Sequence, residues 1–279
     1  MKICCIGTGV MGGALMKAIA KTVGKENIIV ADCDTAKASA FAKKLGCKFA
    51  QSNEEAVKYA DIVFVAVKPA FVGKAMDDIG PHLSGKILVS VAAGLSIAAL
   101  KEMFSFSIMM SGSDVENVTF VRLMPNIPAV VGEAMIALCT DPEAPESVSA
   151  DAATTVAKIL SKAGRVEKVH EKMMDAVTAI SGSGPAYAFM FIEALADAAV
   201  RFGMPRQQAY IYASQTLKGA AAMQLATDQH PGVLKDSVCS PAGTTIEAVK
   251  VLEDKGFRSA IMNAAEAAYE KSQELARKK

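Results

Sequence analysis

The sequence predicts an α/β protein with an N-terminal Rossmann-like, doubly wound sheet followed by an all-helical C-terminal domain. Three observations carry that expectation. Short apolar runs alternate with helix-like segments from Lys2 to about Val91, as a βαβ sheet requires. The glycine cluster Gly7-Thr8-Gly9-Val10-Met11-Gly12 follows the first of those runs directly. Beyond His170 the strand signals stop, and long alanine-rich segments separated by Gly, Pro and Ser take over.

The runs Lys2–Ile6, Ile28–Ala31, Asp61–Val67 and Ile87–Val91 read as parallel strands, and Val10–Val23, Thr35–Leu45, Glu54–Tyr59 and Phe71–Ile79 as the helices that cover them. Asp34 is placed to cap the second of these helices and Asn53 the third. Phe104–Glu116 reads as irregular and polar. After it, Val118–Leu123 and Ala134–Cys139 read as added edge strands, Glu143–Lys162 as a helix and Arg165–Val169 as one more strand. The remainder holds helices at Tyr187–Phe202, Arg206–Ala226, Thr245–Glu253 and Arg258–Arg277. The expected domains are therefore 1–169, binding a dinucleotide, and 170–279, binding substrate and a partner subunit.

Composition narrows the class of function. Thirty Lys+Arg against 29 Asp+Glu leave a formal charge of +1, which supplies no field to hold a nucleic acid or an anionic membrane. The expected partner is a small-molecule substrate. The amino terminus, MKICCIGTG, carries no long apolar segment and no small-residue cleavage site, so a cytoplasmic protein is expected. Six cysteines (Cys4, Cys5, Cys33, Cys47, Cys139, Cys239) lack paired metal spacing, so no metal is expected and the thiols are read as reduced and mostly buried. Hydrophobic residues make up 52% while Trp is absent, which requires a core of Ala, Val, Ile, Leu and Met. A helical domain this rich in small and apolar residues is expected to bury its outer stripe in a second copy, giving at least a homodimer.

In the glycine cluster, Gly7 permits a tight turn, Gly9 lets the backbone approach a pyrophosphate and Gly12 lets the helix pack on the sheet. The free N–H groups at the helix start, from Thr8 through Val10 and Met11, meet the phosphate charge. Asp32, at the end of the second strand, can accept from the ribose hydroxyls of an adenosine and by itself favours NADH. No Arg lies nearby to grip a 2′-phosphate, although Lys37 is within reach of one. Ala66-Val67-Lys68-Pro69 and Ala92-Ala93-Gly94 end two further strands at the carboxyl edge, where open parallel sheets bind ligands, and their small residues leave room for a nicotinamide ribose.

A dinucleotide domain serves many chemistries, so the reaction has to be read from the second domain. Ser181-Gly182-Ser183-Gly184-Pro185-Ala186-Tyr187 places Ser, Gly and Pro at a helix start, and Val238-Cys239-Ser240-Pro241-Ala242-Gly243-Thr244-Thr245 repeats the arrangement. In the latter, Ser240 is expected to cap and Pro241 to occupy the first turn, leaving N–H groups beside the Thr244 and Thr245 hydroxyls as a neutral pocket for a small carboxylate. Asp228 lies near this segment. His170 and His230, the only histidines after Val169, read as structural.

Along essentially its whole length the sequence resembles pyrroline-5-carboxylate reductase. The resemblance is carried by His230-Pro231-Gly232, Leu234-Lys235-Asp236, Ser240-Pro241-Ala242-Gly243-Thr244-Thr245, Ala248-Val249 and Leu252-Glu253, and also by Ser181–Tyr187, Arg122–Ala129 and Ala66–Pro69. It implies NAD(P)H-dependent reduction of the cyclic imine 1-pyrroline-5-carboxylate to L-proline. It further implies a helical dimerisation domain that interlocks with a partner, the cofactor of one subunit facing the substrate loop of the other, and rings of dimers in some members. Thr245 would hydrogen-bond the ring nitrogen, the backbone near Val238, Ser240, Gly243 and Thr244 would hold the carboxylate, and Asn53 and Ser237 would touch the cofactor. Two departures stand out. The family often has Gly-Gly where this chain has Ala242-Gly243, and many members favour NADPH through Ser, Asn or Arg where this chain has Asp32.

Two alternatives remain open on the residues. A hydroxyacid reductase on a similar plan would need a Lys or His to move a proton to oxygen, and Lys172 and Lys218 are the candidates, neither within a motif. A dinucleotide-binding redox sensor without turnover is the other, and the Thr244-Thr245 segment speaks against it.

Overall fold

Alternation within the first strand supplies both faces of a sheet. In β1 (Ile3–Ile6), Ile3 and Cys5 join one buried cluster, Cys4 and Ile6 another, and all four are buried. A computed structural model describing residues 1–277 shows what packs on each side. After β1 come α1 (Val10–Val23), β2 (Ile28–Ala31), α2 (Thr35–Leu45), β3 (Lys48–Phe49), α3 (Asn53–Tyr59), β4 (Ile62–Val65), α4 (Val72–Ile79), β5 (Ile87–Ser90) and α5 (Ile97–Ser111). The first unit continues with β6 (Thr119–Met124), β7 (Ala134–Thr140), α6 (Glu146–Leu160) and β8 (Gly164–Lys168). Leu15, Met16 and Ile19 of α1 and Val156, Ile159 and Leu160 of α6 bury one face, while Val57 of α3, Met76 and Ile79 of α4 and Leu100 of α5 bury the other. Burial on both faces explains why these strands read as continuous apolar runs.

The strand order is β3-β2-β1-β4-β5-β6-β7-β8. Every neighbouring pair is parallel except β6 with β7. The order reverses direction at β1, between β2 and β4, which is the switch point of a doubly wound sheet. Cys5 and Cys139 sit in this packing, and burial pushes both thiols up to about 12, so they remain protonated. All six cysteines are free; Cys4, Cys5 and Cys139 are buried, Cys47 and Cys239 half-buried and Cys33 exposed.

Three local expectations are corrected. The segment read as irregular, Phe104–Glu116, lies largely in α5, which Ser96 caps by accepting from Ala99 N–H at 3.1 Å and which ends at left-handed Gly112. Its serines suggested a loop, yet Ser107 is buried with its hydroxyl donating to the Met76 carbonyl, and Ser105 donates back to Lys101. A side chain that satisfies itself this way is tolerated inside a helix. The strands expected at the edge, β6 and β7, are interior, because β8 completes that side of the sheet. Finally, Ser52 caps α3, accepting from Glu55 N–H at 3.1 Å, and Asn53 is the first residue of the helix. The expected cap of α2 by Asp34 is present, its carboxylate accepting from Lys37 N–H at 3.0 Å.

The helical part comprises α7 (Met174–Val177), α8 (Gly184–Arg201), α9 (Arg206–Thr227), α10 (Pro231–Val238), α11 (Thr244–Asp254) and α12 (Phe257–Arg277). By compactness the chain divides into Met1–Gly182 together with the segment from Ala268 onward, and Ser183–Ala267. The division by character of sequence, at 169/170, thus differs from the division by packing. One reason is that Ser272 of α12 donates to the Asp175 carboxylate at 2.6 Å, tying the end of the last helix into the first unit. Lys278 and Lys279, the end of the expected second domain, lie outside the described residues.

The unit Ser183–Ala267 is a poor solvent-facing body. Its buried cluster consists of Ala196, Ala209 and Ala213, while Phe189, Met190, Phe202, Ile211 and Tyr212 are exposed on the isolated chain. Large apolar side chains in such number on one small unit mark a surface made to be covered. Among the described residues no helix is long and apolar enough to cross a membrane.

Candidate functional site

Strand register brings the sequence-predicted cofactor residues to one edge. Ile6 pairs with Ala31 and with Val65, and Val65 with Ser90, so β1, β2, β4 and β5 end level with one another. Gly7, Asp32, Ala66 and the turn at 91–94 come directly after these strand ends. Backbone bonds continue the alignment one residue further, from Gly7 N–H to the Ala31 carbonyl and from Ala66 N–H to the Ile6 carbonyl, both at 2.8 Å.

The glycines of the loop divide into two kinds. A Cβ on Gly7 would meet the Ala66 carbonyl oxygen at 2.7 Å, and Gly7 has a positive φ of 99°. A Cβ on Gly12 would lie 3.0 Å from Ala66 Cβ and closer still to the loop backbone. These two positions are closed by the protein itself. Gly9, in contrast, has nothing within 4 Å of its Cβ position, although it is the residue from which α1 starts. No side chain caps α1, and Val10 at its first position is 67% exposed. Open space above Gly9, beside the unpaired N–H groups of Val10, Met11 and Gly12, fits the pyrophosphate of a dinucleotide.

Asp32 is turned inward onto this loop. Its Oδ2 accepts from Thr8 N–H at 2.7 Å and from the Thr8 hydroxyl at 2.9 Å, and its Oδ1 accepts from Asp34 N–H at 3.1 Å and from the Cys33 thiol at 3.4 Å. Burial by itself raises this carboxyl, but the donors, Thr8 N–H foremost, outweigh it and bring the group down to about 2. Thr8, expected among the cofactor ligands, therefore directs its N–H and hydroxyl to Asp32. The remaining positions surround the same edge. Lys68 is exposed at the start of the 3₁₀ turn Pro69–Phe71 that follows Ala66 and Val67, Ala92 is buried, and Gly94 adopts a positive φ of 73°. Asn53 donates its amide N–H to Asp78 at 2.9 Å, which leaves its amide oxygen facing elsewhere.

The second group of sequence-predicted residues belongs to the other compact unit. Helix α10 was not anticipated, and His230 caps it, its Nδ1 accepting from Gly232 N–H at 3.0 Å. Ser237 lies on α10 with its hydroxyl donating to the Leu234 carbonyl, and Val238 ends the helix, exposed. Ser240 does not cap α11 and Pro241 is not in its first turn, contrary to expectation. Residues 240–243 instead form a tight turn, closed by Gly243 N–H donating to the Ser240 carbonyl at 3.0 Å, and Gly243 is the N-cap. Thr244 and Thr245 are the first two residues of the helix. The first-turn N–H groups of α11 have no side-chain cap. Asp228 takes a left-handed φ of 52° as the C-cap of α9, a structural task that the sequence did not reveal.

One polar cluster escaped the sequence reading. Arg122, in the interior of β6, is buried and donates to Glu171 Oε1 at 2.9 Å, and the same oxygen accepts from Ile97 N–H at the start of α5 at 2.8 Å. Asn126 donates to the Ser181 carbonyl and accepts from Met135 N–H, both at 3.0 Å. An Arg within an apolar strand was the available signal, since a buried charge needs a partner. Among the described residues no cluster of His, Cys, Asp or Glu could hold a metal ion.

Comparison with known proteins assigns a family to this geometry. Residues 171–275 match the family model described as "Pyrroline-5-carboxylate reductase dimerisation", and residues 2–94 match "NADP oxidoreductase coenzyme F420-dependent". Pyrroline-5-carboxylate reductase of Escherichia coli K12 is 41% identical over 279 residues, 99% of this chain and 98% of that protein. The enzyme of the same name from Arabidopsis thaliana is 47% identical over 234 residues, 84% of this chain and 79% of that protein. The crystal structure of Plasmodium falciparum pyrroline carboxylate reductase with NADP bound is 34% identical, with a TM-score of 0.81 over 99% of this chain and 98% of that one. With a dinucleotide edge in one unit, a bare helix start in the other and full-length identity of this order, the chain belongs to the pyrroline-5-carboxylate reductase family.

Proposed function

We propose that the chain reduces 1-pyrroline-5-carboxylate to L-proline, the last step of proline biosynthesis, as an NAD(P)H-dependent oxidoreductase acting on the imine CH–NH bond. The observation that carries the substrate is the start of α11, where uncapped N–H groups adjoin Thr245 at the second helical position. A small carboxylate next to a ring nitrogen matches an anion site next to a hydroxyl.

When bound, NAD(P)H supplies the hydride that reduces the imine carbon. The protein's own task is position and charge. The first turn of α1 and the open face of Gly9 hold the pyrophosphate, with the Ala66–Pro69 and Ala92–Gly94 loops along the nicotinamide end. The backbone from Val238 to Thr244 orients the substrate through its carboxylate, with Asp228 as a flanking contact, while Asn53 and Ser237 touch the cofactor. The Thr245 hydroxyl hydrogen-bonds the ring nitrogen and keeps its proton in place as the carbon is reduced. No strong acid is needed for a basic imine nitrogen.

The exposed apolar side chains of Ser183–Ala267 support a homodimer, and the family resemblance supports rings of dimers. A cytoplasmic location is part of the same proposal. Oxidation of NADH and of NADPH is to be followed in parallel with 1-pyrroline-5-carboxylate, and the product identified. L-proline formed with either cofactor supports the assignment, and no turnover with both refutes it.

A further inference from the structure

We propose that Lys37 determines acceptance of a 2′-phosphorylated dinucleotide, and that Asp32 positions the glycine loop instead of selecting against that phosphate. The proposal rests on the dinucleotide reading of the sheet edge above.

A carboxylate offers about four acceptor sites. In Asp32 these face Thr8 N–H, the Thr8 hydroxyl, Asp34 N–H and the Cys33 thiol, all from within the chain. The side chain is only 10% exposed. Rejection of NADPH by such an aspartate depends on a free carboxylate that grips the ribose diol and repels the 2′-phosphate. Here a ribose hydroxyl could replace only the weakest donor, the thiol, so the diol grip is largely lost. Because Thr8 stands between Gly7 and Gly9, the bonds from its N–H and hydroxyl fix the shape of the loop.

Lys37 lies on the solvent side of the same carboxylate. Its Nζ is 3.5 Å from Asp32 Oδ2, an ion pair longer than a hydrogen bond, and the side chain is 49% exposed. Among the described residues Nζ makes no hydrogen bond beyond that contact. Its main chain is anchored, because Lys37 N–H donates to the capping Asp34 carboxylate in the first turn of α2. The ammonium thus stands on a fixed base next to the ribose end of the crevice, loosely held and free to turn to a phosphate. It also offsets the charge of Asp32, so a 2′-phosphate would meet a neutral pair and not a bare anion. A lysine binds phosphate as a point charge, without the fork geometry of arginine.

The test is calorimetric titration of the full-length protein with AMP and with adenosine 2′,5′-bisphosphate, for wild type, Lys37→Gln and Lys37→Arg. Lys37→Gln is expected to weaken the bisphosphate relative to AMP by about tenfold, the low end for one charge-assisted contact because the site is half open to solvent. Lys37→Arg should keep the wild-type ratio, and the wild-type preference should shrink as salt is raised. An unchanged ratio in Lys37→Gln, or equal weakening of both ligands, would overturn the role of Lys37 while leaving the site intact. Failure of AMP to bind the wild type would instead overturn the dinucleotide reading, and this proposal with it.

Discussion

Gly12 lies so close to Gly7 that a Cβ at position 12 would come within 2.2 Å of the Gly7 carbonyl oxygen, whereas a Cβ on Gly9 between them would meet nothing within 4 Å. The two substitutions should therefore separate folding from binding. Gly12→Ala is expected to lose about 2 kcal/mol or more of stability, since backbone must shift to admit the methyl. Gly9→Ala should melt within a degree or two of wild type, because its φ of −63° suits any residue, yet bind dinucleotide at least about tenfold more weakly once the methyl occupies the phosphate's space. Differential scanning calorimetry with cofactor titration checks both, and full cofactor affinity in Gly9→Ala would remove the pyrophosphate from this loop.

Asp32 should leave a signature in acid. Its folded pKa, about 2, lies below the unfolded value of about 4, so its bonds to Thr8 and Asp34 stabilise the fold fully above about pH 4. That contribution is lost as pH falls through about 2. Asp32→Asn removes the charge and turns an amide N–H toward one set of donors. The gap in urea midpoint between wild type and Asp32→Asn is expected to be constant from about pH 7 to about pH 4 and to narrow below that. A gap independent of pH down to the acid transition would mean that the carboxylate's charge contributes nothing.

Ala242 holds a φ of 55° in the turn before α11, where Pro241 precedes it and Gly243 closes the turn on Ser240. Proline followed by a residue of positive φ is the pattern of a type II turn, in which glycine fits the second position. Alanine there carries backbone strain of roughly 1–2 kcal/mol, partly offset by the greater unfolded-state freedom of glycine. Ala242→Gly should raise stability by up to about 1 kcal/mol without changing the donors of the turn, and Ala242→Val should lower it. Thermal melts of the two variants test this, and a less stable glycine variant would show that the turn is not strained.

Much of this organisation could be read in the sequence, for identifiable reasons. A strand buried on both faces, such as Ile3–Ile6, announces itself by composition, and the glycine loop after it by position. What stayed hidden depended on partners distant in the chain. Thr8 lies 24 residues from Asp32, and nothing local says that the carboxylate turns to it and away from solvent. The serines of α5 looked like loop residues until Met76 and Lys101 were seen to accept from them. Adjacent capping types, Ser52 and Asn53, leave a helix start ambiguous by one residue. Pro241 announced a nearby helix start but lies in the turn before it, because α11 begins only after Gly243 as its N-cap.

The division of labour between a dinucleotide edge in one unit and a helix start in the other is tested most directly at Thr245. Steady-state turnover of 1-pyrroline-5-carboxylate by Thr245→Ala is to be measured beside the dissociation constant for NAD(P)H. Loss of one directed hydroxyl should lower kcat roughly tenfold to a thousandfold, while cofactor affinity and the oligomer on sedimentation stay as in wild type. Unchanged turnover in Thr245→Ala would contradict the assignment of the imine nitrogen to this helix start.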